Sequence, residues 1–316
     1  MSCKRLRVLT WQVHGNYLYY LSQVPHEFFM VTKRNNPPGY AGRVGYRPWG
    51  DNVHEVRCEC VADTTFDCVL YQHCRQYRHD RTHLLTAEQR ALPALFIEHD
   101  PPCAHPTDSL HPVQDPNVLL VHVTPFNALM WDSGITPTRV IEHGVLIPDD
   151  VCYRGMLPKG VTVVNHLSRR GRRFGADLYE TVCRRAPVDL VGRDSAELGG
   201  IGEVPSGELA HFMSHYRFYF NPTRYASLGL AVIEAMMIGL PVIALATTEI
   251  AQLVRSGRNG VADTRPDVLI DAMHMLIKDP LLAREWGEAA QRDVRERFGI
   301  DRFVHDWDAA LRDVVM

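Results

Sequence analysis

The chain has 316 residues, of which 46% are hydrophobic and 22% charged, and its formal net charge is -3 at pH 7. This length exceeds one typical hydrophobic core and predicts two domains of roughly 150 residues each. The charge balance gives no reason to expect nucleic acid as a partner. No apolar run reaches the roughly 18 residues of a membrane-spanning helix, and the N-terminal apolar stretch is too short for a secretory signal. We therefore expect a cytoplasmic globular protein, with peripheral membrane contact left open.

Eight cysteines are spread along the chain without a CxxC pair. Cys58 and Cys60 flank one residue, and Cys74 has His73 and His79 nearby, which is the one arrangement that resembles a metal site. A structural zinc site needs ligands two to four residues apart, twice over. We therefore expect reduced thiols and no metal.

The first half of the chain alternates apolar runs with helical segments. Predicted strands occupy residues 6–10, 27–32, 53–60, 66–71, 94–98, 118–123 and 139–142, and predicted helices occupy 17–23, 86–92 and 125–131. The turn after the first strand contains His14, Gly15 and Asn16. A strand, a glycine-containing turn and a helix form the arrangement that cradles phosphates in nucleotide-binding folds. Helix capping or packing is the alternative role for His14.

His99 is the histidine with the clearest functional signal in the first half. It directly follows the apolar strand 94–98 and precedes Asp100 and the stiff Pro101-Pro102 pair. The carboxyl end of a parallel strand is where open α/β sheets bind ligands, and imidazole titrates near neutral pH. We expect a functional role for His99, with Asp100 able to orient its ring.

The second half alternates more regularly. Predicted strands occupy 161–164, 188–191, 217–220, 242–245 and 260–262, and predicted helices occupy 176–185, 208–216, 228–238, 250–255, 266–277, 280–297 and 302–315. Strand and helix alternating at this spacing predict a parallel, doubly wound sheet. The polar break at residues 148–150 is the expected boundary, giving domains 1–148 and 149–316. The last helix, residues 302–315, is a candidate for returning to the first domain.

Two features of the second half suggest binding chemistry. Residues 165–173 carry four arginines after the first strand, and guanidinium groups match phosphate oxygens. Ser227 is a candidate cap for the helix 228–238, which contains Glu234 among apolar residues. A buried carboxylate there is costly without a partner. The alternative is that Glu234 lies on a solvent-exposed stripe of the helix.

These residues together resemble family 4 glycosyltransferases. Residues 164–171 resemble the family's strand followed by an Arg and a Lys-Gly, with His166 at the Arg position and Arg170-Gly171 at the Lys-Gly. Residues 221–236 resemble its Pro-Ser segment and its Glu–seven residues–Glu motif, which ends here at Glu234. The first half is similar more loosely, through His14-Gly15, His99 and residues 139–145.

The resemblance implies an α/β protein of the GT-B fold, with two Rossmann-like, doubly wound parallel-sheet domains facing a cleft. It also implies site roles. Glu234 would bind the nucleotide ribose, and His99 would act in catalysis at the reacting sugar and acceptor. The residues expected at the donor diphosphate are Arg170, His166, Gly15, Leu228 and Gly229. The residues expected at the donor sugar or acceptor are His14, Asn16, Ser227 and Glu249.

The activity implied is transfer of a sugar, with retention at the anomeric carbon, from a nucleotide-diphosphate sugar to a glycan, lipid-linked sugar or small molecule. No metal or other cofactor is expected. The sequence departs from the family pattern at three places: Ala226 replaces the first Glu of the motif, Thr248-Glu249 replaces a Gly-Gly, and Gln252 replaces a later Glu. A sugar-nucleotide epimerase and a catalytically inactive sugar-nucleotide-binding protein are therefore the alternatives.

Overall fold

The structure, a computed structural model, describes residues 4–43 and 47–316. The chain divides into two compact units: unit 1 is Met1–Gly144 with Ile300–Met316, and unit 2 is Val145–Gly299. The boundary therefore lies at Gly144 rather than after residue 148. Residues 300–316 belong to unit 1, and they contain the helix that the sequence marked as a candidate for returning to the first domain. Buried aromatic packing is the reason, because Trp307 Nε1 donates a hydrogen bond to Tyr17 Oη at 3.1 Å.

Unit 1 contains a seven-stranded parallel sheet in the order β3-β2-β1-β4-β5-β6-β7. The strands are β1 (Arg7–Thr10), β2 (Glu27–Thr32), β3 (Val53–Arg57), β4 (Cys68–Tyr71), β5 (Ala94–Glu98), β6 (Val118–His122) and β7 (Thr138–Val140). The helices are α1 (Gly15–Leu21), α2 (Arg81–His83), α3 (Ala87–Arg90) and α4 (Pro125–Met130), with the chain's last helix, α12 (Ile300–Val315). Since β1, β4 and β5 are neighbours, the turns that follow them lie at one edge of the sheet.

Local turn chemistry changes several predicted bounds in unit 1. The strand predicted over residues 53–60 ends at Arg57, because Cys58–Cys60 forms a single 3₁₀ turn. The first helix begins at Gly15, two residues before its predicted start. Across residues 4–43 and 47–316, no group of three His, Cys, Asp or Glu side chains is arranged to hold a metal ion.

A pH effect is expected from His122, whose side chain is fully buried in unit 1. Burial and the neighbouring His111 lower the pKa of His122 to about 4. The unfolded imidazole has a pKa of about 6.5 and binds its proton first as the pH falls, so the stability contributed by neutral His122 is lost below that value. Between about pH 7 and about pH 5 this loss should be about 2 kcal/mol.

Urea unfolding followed by tryptophan fluorescence measures this loss, since Trp11, Trp49, Trp131 and Trp307 all belong to unit 1. The variant His122→Asn should lose less stability than the wild type over that pH interval. The exposed His105 supplies the matched control, His105→Asn, which should behave as the wild type does. An acid-induced loss in His122→Asn as large as in the wild type would show that His122 is not responsible.

Unit 2 contains a five-stranded parallel sheet in the order β12-β11-β10-β8-β9. The strands are β8 (Leu157–Val163), β9 (Val188–Val191), β10 (Tyr216–Asn221), β11 (Val242–Leu245) and β12 (Gly260–Asp263). The helices are α5 (Leu167–Phe174), α6 (Ala176–Cys183), α7 (Leu209–Ser214), α8 (Leu230–Ile238), α9 (Ile250–Leu253), α10 (Pro266–Lys278) and α11 (Pro280–Arg295). Together with unit 1, this confirms the predicted class of two doubly wound parallel α/β sheets.

The arginine-rich segment after β8 is a helix and not a turn. Helix α5 begins after His166, which has a φ of 56°, and it kinks at Gly171, where φ is 61° and ψ is -146°. That backbone conformation is close to one that only glycine adopts readily. The kink therefore depends on Gly171 and changes the direction of the chain directly after Arg170.

The loop before α8 is longer than the sequence predicts. Helix α8 begins at Leu230 with Gly229 at its N-cap, and no side chain among the described residues caps it. The expected capping by Ser227 is therefore wrong, because two further residues separate this serine from the first helical turn. The loop packs closely against the α5–α6 junction, since a Cβ on Gly175 would lie 2.1 Å from the Pro222 carbonyl oxygen.

Across the part of the chain that the structure describes, no helix combines the length and the apolar character that crossing a bilayer requires.

Candidate functional site

Unit 2 has a pocket of about 210 Å³ at the carboxyl ends of its central strands. Residues directly after β8, at the end of β10 and after β11 contribute to its wall, as does the first turn of α8. The lining residues are Val163, Val164, Asn165, Arg170, Phe174, Tyr219, Asn221, Thr223, Ala226, Ser227, Leu228, Gly229, Leu230, Ala231, Val232, Thr248 and Ile250. This lining, formed by described residues, contains one cationic side chain and no carboxylate.

The wall at the start of α8 offers hydrogen-bond donors. The first N–H groups of a helix have no acceptor within the helix, and its N-terminus carries a partial positive charge. Beside it, Ser227 Oγ is buried and has no hydrogen-bond partner among the described residues. A buried hydroxyl without a hydrogen-bond partner is costly. A polar ligand bound in the pocket would therefore form a favourable hydrogen bond with Ser227 Oγ. Of the sequence-predicted residues, Ser227, Leu228 and Gly229 lie together here.

Arg170 is the arginine of the cationic segment that lines the pocket. Its Cζ atom lies 4.2 Å from the centre of the Phe174 ring, which supports the guanidinium group. Arg172 instead pairs with Asp177 at 2.6 Å. Arg173 Nε donates to the Tyr225 carbonyl oxygen at 2.9 Å. The sequence suggested one anion site formed by all four arginines of residues 165–173. In the structure Arg170 alone of the four lines the pocket, while Arg172 and Arg173 make the contacts just described.

Thr248 lines the pocket in an unusual backbone conformation. Its φ is 48°, in the left-handed region that disfavours β-branched residues. Strain of this kind costs on the order of 1–3 kcal/mol and concentrates at functional sites. Thr223 and Asn165 add further polar groups to the lining. Sequence reasoning did not select these three residues, although Thr248 was visible as a departure from the family's Gly-Gly.

Glu234 is buried and lies outside the pocket lining. Glu234 follows Ala231 by three residues and Leu230 by four, so the three side chains share one face of α8. Burial raises the pKa of Tyr219, which lines the pocket, and the nearby Glu234 carboxylate raises it further. Glu234 therefore lies one helical turn behind the pocket wall, and its ribose contact stays a prediction.

Two other predicted residues of unit 2, His166 and Glu249, do not line the pocket. His166 Nδ1 pairs with Asp194 Oδ2 at 2.5 Å, at the start of α5. The Glu249 side chain is 4% exposed, and its Oε2 lies 3.8 Å from Arg297 Nη2. Their roles at the diphosphate and at the sugar stay predictions.

A second cluster lies in unit 1, after β1 and β5. The rings of His14 and His99 have centroids 4.2 Å apart, and Tyr17 packs edge-on against His99 at 4.8 Å. His99 Nε2 is 3.3 Å from Gln72 Oε1. Sequence reasoning named Asp100 as the residue to orient His99 and did not select Gln72, which no motif marks.

The electrostatics of this cluster favour neutral imidazole. Burial lowers the pKa of His99 well below its ordinary value, and the nearby His14 and His143 lower it further.

Gly15 begins helix α1 directly after His14. Asn16 Oδ1 accepts a hydrogen bond from Arg47 Nη2. The structure thus brings His14, Gly15, Asn16 and His99 together in unit 1.

Residues 195–293 match the family model for glycosyl transferases group 1. The lipopolysaccharide core biosynthesis mannosyltransferase LpcC of Rhizobium leguminosarum bv. viciae is 34% identical over 206 residues, covering 52% of this chain and 57% of that protein. An uncharacterized glycosyltransferase of Haemophilus influenzae is 26% identical over 215 residues, covering 61% of this chain and 60% of that protein. The chain thus spans about three fifths of the length of these curated relatives.

Solved structures resemble the chain over nearly its whole length. Sucrose-phosphate synthase from Thermosynechococcus elongatus has a TM-score of 0.69 at 16% identity, covering 98% of this chain and 99% of that one. Anabaena HepE in complex with UDP-glucose has a TM-score of 0.66 at 13% identity, covering 98% and 100%. At these identities the likeness shows a shared fold.

Proposed function

We propose that this chain, which has the GT-B fold and whose residues 195–293 match the family model for glycosyl transferases group 1, is a family 4-like glycosyltransferase that transfers a sugar from a nucleoside-diphosphate sugar to an acceptor. One observation carries the proposal. Arg170, Ser227 Oγ and the N-terminus of α8 meet in a single pocket whose lining has no carboxylate. This arrangement suits a diphosphate, which needs a cation and several hydrogen-bond donors.

The same groups suit the chemistry of sugar transfer. When the bond between the sugar and the diphosphate breaks, negative charge grows on the departing phosphate oxygens. A fixed guanidinium group and backbone N–H groups stabilise such developing charge without reorganising during the reaction.

Further parts of the proposal rest on the family resemblance. Glu234 is the proposed ribose contact and His99 the proposed contact to the reacting sugar, with retention at the anomeric carbon. The structure of HepE with UDP-glucose supports uridine diphosphate as the first nucleotide to test. The acceptor is a glycan, lipid-linked sugar or small molecule, and the cytoplasmic location stays a prediction.

Incubation with a panel of nucleotide sugars tests this function. Released nucleoside diphosphate without isomerised sugar supports transfer, since slow hydrolysis substitutes for an absent acceptor. New sugar isomers would indicate the epimerase instead. Binding of nucleoside diphosphate without any turnover of the panel would favour the inactive binding protein.

Turnover is expected to continue after treatment with EDTA, because Arg170 and the α8 N-terminus supply the charge stabilisation that a metal ion supplies elsewhere. The measurement is the rate of nucleoside-diphosphate release before and after chelation, followed by addition of Mg²⁺ or Mn²⁺. A rate that falls on chelation and returns with the metal would contradict metal independence.

A further inference from the structure

Gln72 is a buried polar residue that connects the two histidine-bearing turns of unit 1. It directly follows β4, the strand between β1 and β5, and its exposed fraction is 3%. A buried amide must satisfy its donors and its acceptor nearby. The partners it uses therefore reveal which way the amide faces.

The amino group of Gln72 has a fixed orientation. Nε2 donates to the Trp11 carbonyl oxygen at 2.8 Å and to Thr10 Oγ1 at 3.0 Å. A carbonyl oxygen can only accept, so the nitrogen and not the oxygen must face Trp11. Thr10 Oγ1 in turn donates its own hydrogen to the Leu70 carbonyl oxygen at 3.0 Å, which leaves it to accept from Gln72. Both amide hydrogens are thereby used.

The orientation of Gln72 then determines the proton position on His99. Gln72 Oε1 faces His99 Nε2 at 3.3 Å and can only accept. His99 Nε2 must therefore carry a hydrogen, and in neutral imidazole the other nitrogen, Nδ1, then has a lone pair. The rings of His14 and Tyr17 pack against the same imidazole and restrict its rotation.

We propose that Gln72 is a positioning residue that holds His99 as the Nε2-protonated tautomer, so that Nδ1 serves as a hydrogen-bond acceptor. This inference rests on the proposed function for its purpose: an acceptor nitrogen binds a sugar hydroxyl, whereas a protonated Nδ1 would not accept. The chain of hydrogen bonds from the Leu70 carbonyl oxygen through Thr10 and Gln72 to His99 consists of buried or half-buried groups. The packing of the sheet therefore holds this chain of hydrogen bonds in place, and it is present before any ligand binds.

The tautomer is measurable by nitrogen NMR of the full chain labelled with ¹⁵N-histidine, without any sugar. The protein has sixteen histidines. The two nitrogen signals of His99 are identified as those present in the spectrum of the wild type and absent from the spectrum of His99→Asn. At about pH 8, where ordinary imidazole is neutral, we expect Nε2 to show the shift of a protonated nitrogen and Nδ1 that of an unprotonated one. The reverse assignment would overturn the proposal.

Gln72→Met removes the acceptor at nearly constant volume, and we expect the two His99 nitrogen shifts to move toward each other as both tautomers become populated. Gln89→Met is the matched control, because Gln89 is also a buried glutamine of unit 1 whose amide donates to the Val61 and Thr64 carbonyl oxygens. It should leave the His99 signals in place. Unchanged signals in Gln72→Met, or equal changes in Gln89→Met, would refute the role of Gln72.

Gln72→Glu keeps an acceptor oxygen and provides a second test if Gln72→Met does not fold. A carboxylate oxygen beside Nε2 can only accept, so Nε2 should keep the shift of a protonated nitrogen at about pH 8, as in the wild type. An unprotonated Nε2 in Gln72→Glu would count against the proposal.

An activity measurement separates this inference from the proposed function. Gln72→Met should lower kcat about tenfold and leave the Kd for nucleoside diphosphate unchanged; an unchanged kcat in an active enzyme would overturn the positioning role. If the wild type releases no nucleotide from any sugar donor, the proposed function fails. The tautomer result is independent of that outcome because it is read in the free protein.

Discussion

Replacement of His99 by alanine should lower the turnover of nucleotide sugar by roughly 10²–10⁴-fold, the range typical of a lost acid–base or proton-accepting group. Affinity for nucleoside diphosphate should stay unchanged, because every residue that lines the pocket proposed to bind it belongs to unit 2, whereas His99 belongs to unit 1. Steady-state release of nucleotide gives the first quantity, and calorimetric titration with uridine diphosphate gives the second.

His105→Ala is the control for this prediction, since His105 is an exposed histidine of the same unit. It should preserve both turnover and binding. Parallel loss of turnover and binding in His99→Ala would argue that His99 supports the fold and not the reaction. Thermal unfolding of both variants identifies that case independently.

Arg170→Ala should weaken binding of nucleoside diphosphate by roughly 1.5–3 kcal/mol, the contribution of a hydrogen bond to a charged group. This corresponds to an increase in Kd of roughly ten- to a hundred-fold. The physical reason is that Arg170 is the cationic side chain of the pocket lining that the structure describes. Arg170→Lys should fall between the wild type and the alanine variant, because lysine keeps the charge but not the two-pronged geometry.

Arg169→Ala separates a direct contact from a general charge effect. Arg169 is the preceding residue of the same helix, is exposed and lies outside the pocket lining. Both variants remove one positive charge, so a difference in Kd reports the position of the side chain. Equal weakening by the two substitutions would contradict a specific role for Arg170.

Local sequence signals predicted much of the fold. The strands β2, β5, β9 and β11 have their predicted bounds, because each is an apolar run of four to six residues between polar or proline-containing turns. The alternation of strands and helices was sufficient to predict the parallel, doubly wound class, and the motif positions were sufficient to indicate a resemblance to family 4 glycosyltransferases. The candidate residues after the strand ends follow from the same logic, since parallel strands end at one sheet edge.

The sequence by itself therefore determined the fold class and most of the order of elements and indicated the family resemblance, since these depend on local periodicity and on residue spacing. Only the tertiary structure decided that Arg170 lines the pocket while Arg172 pairs with Asp177, and that Ser227 Oγ is buried there without capping α8. It also revealed Gln72 as the partner of His99. The physical reason is that side-chain directions depend on backbone kinks and on contacts between residues far apart in the chain, as between Gln72 and Thr10.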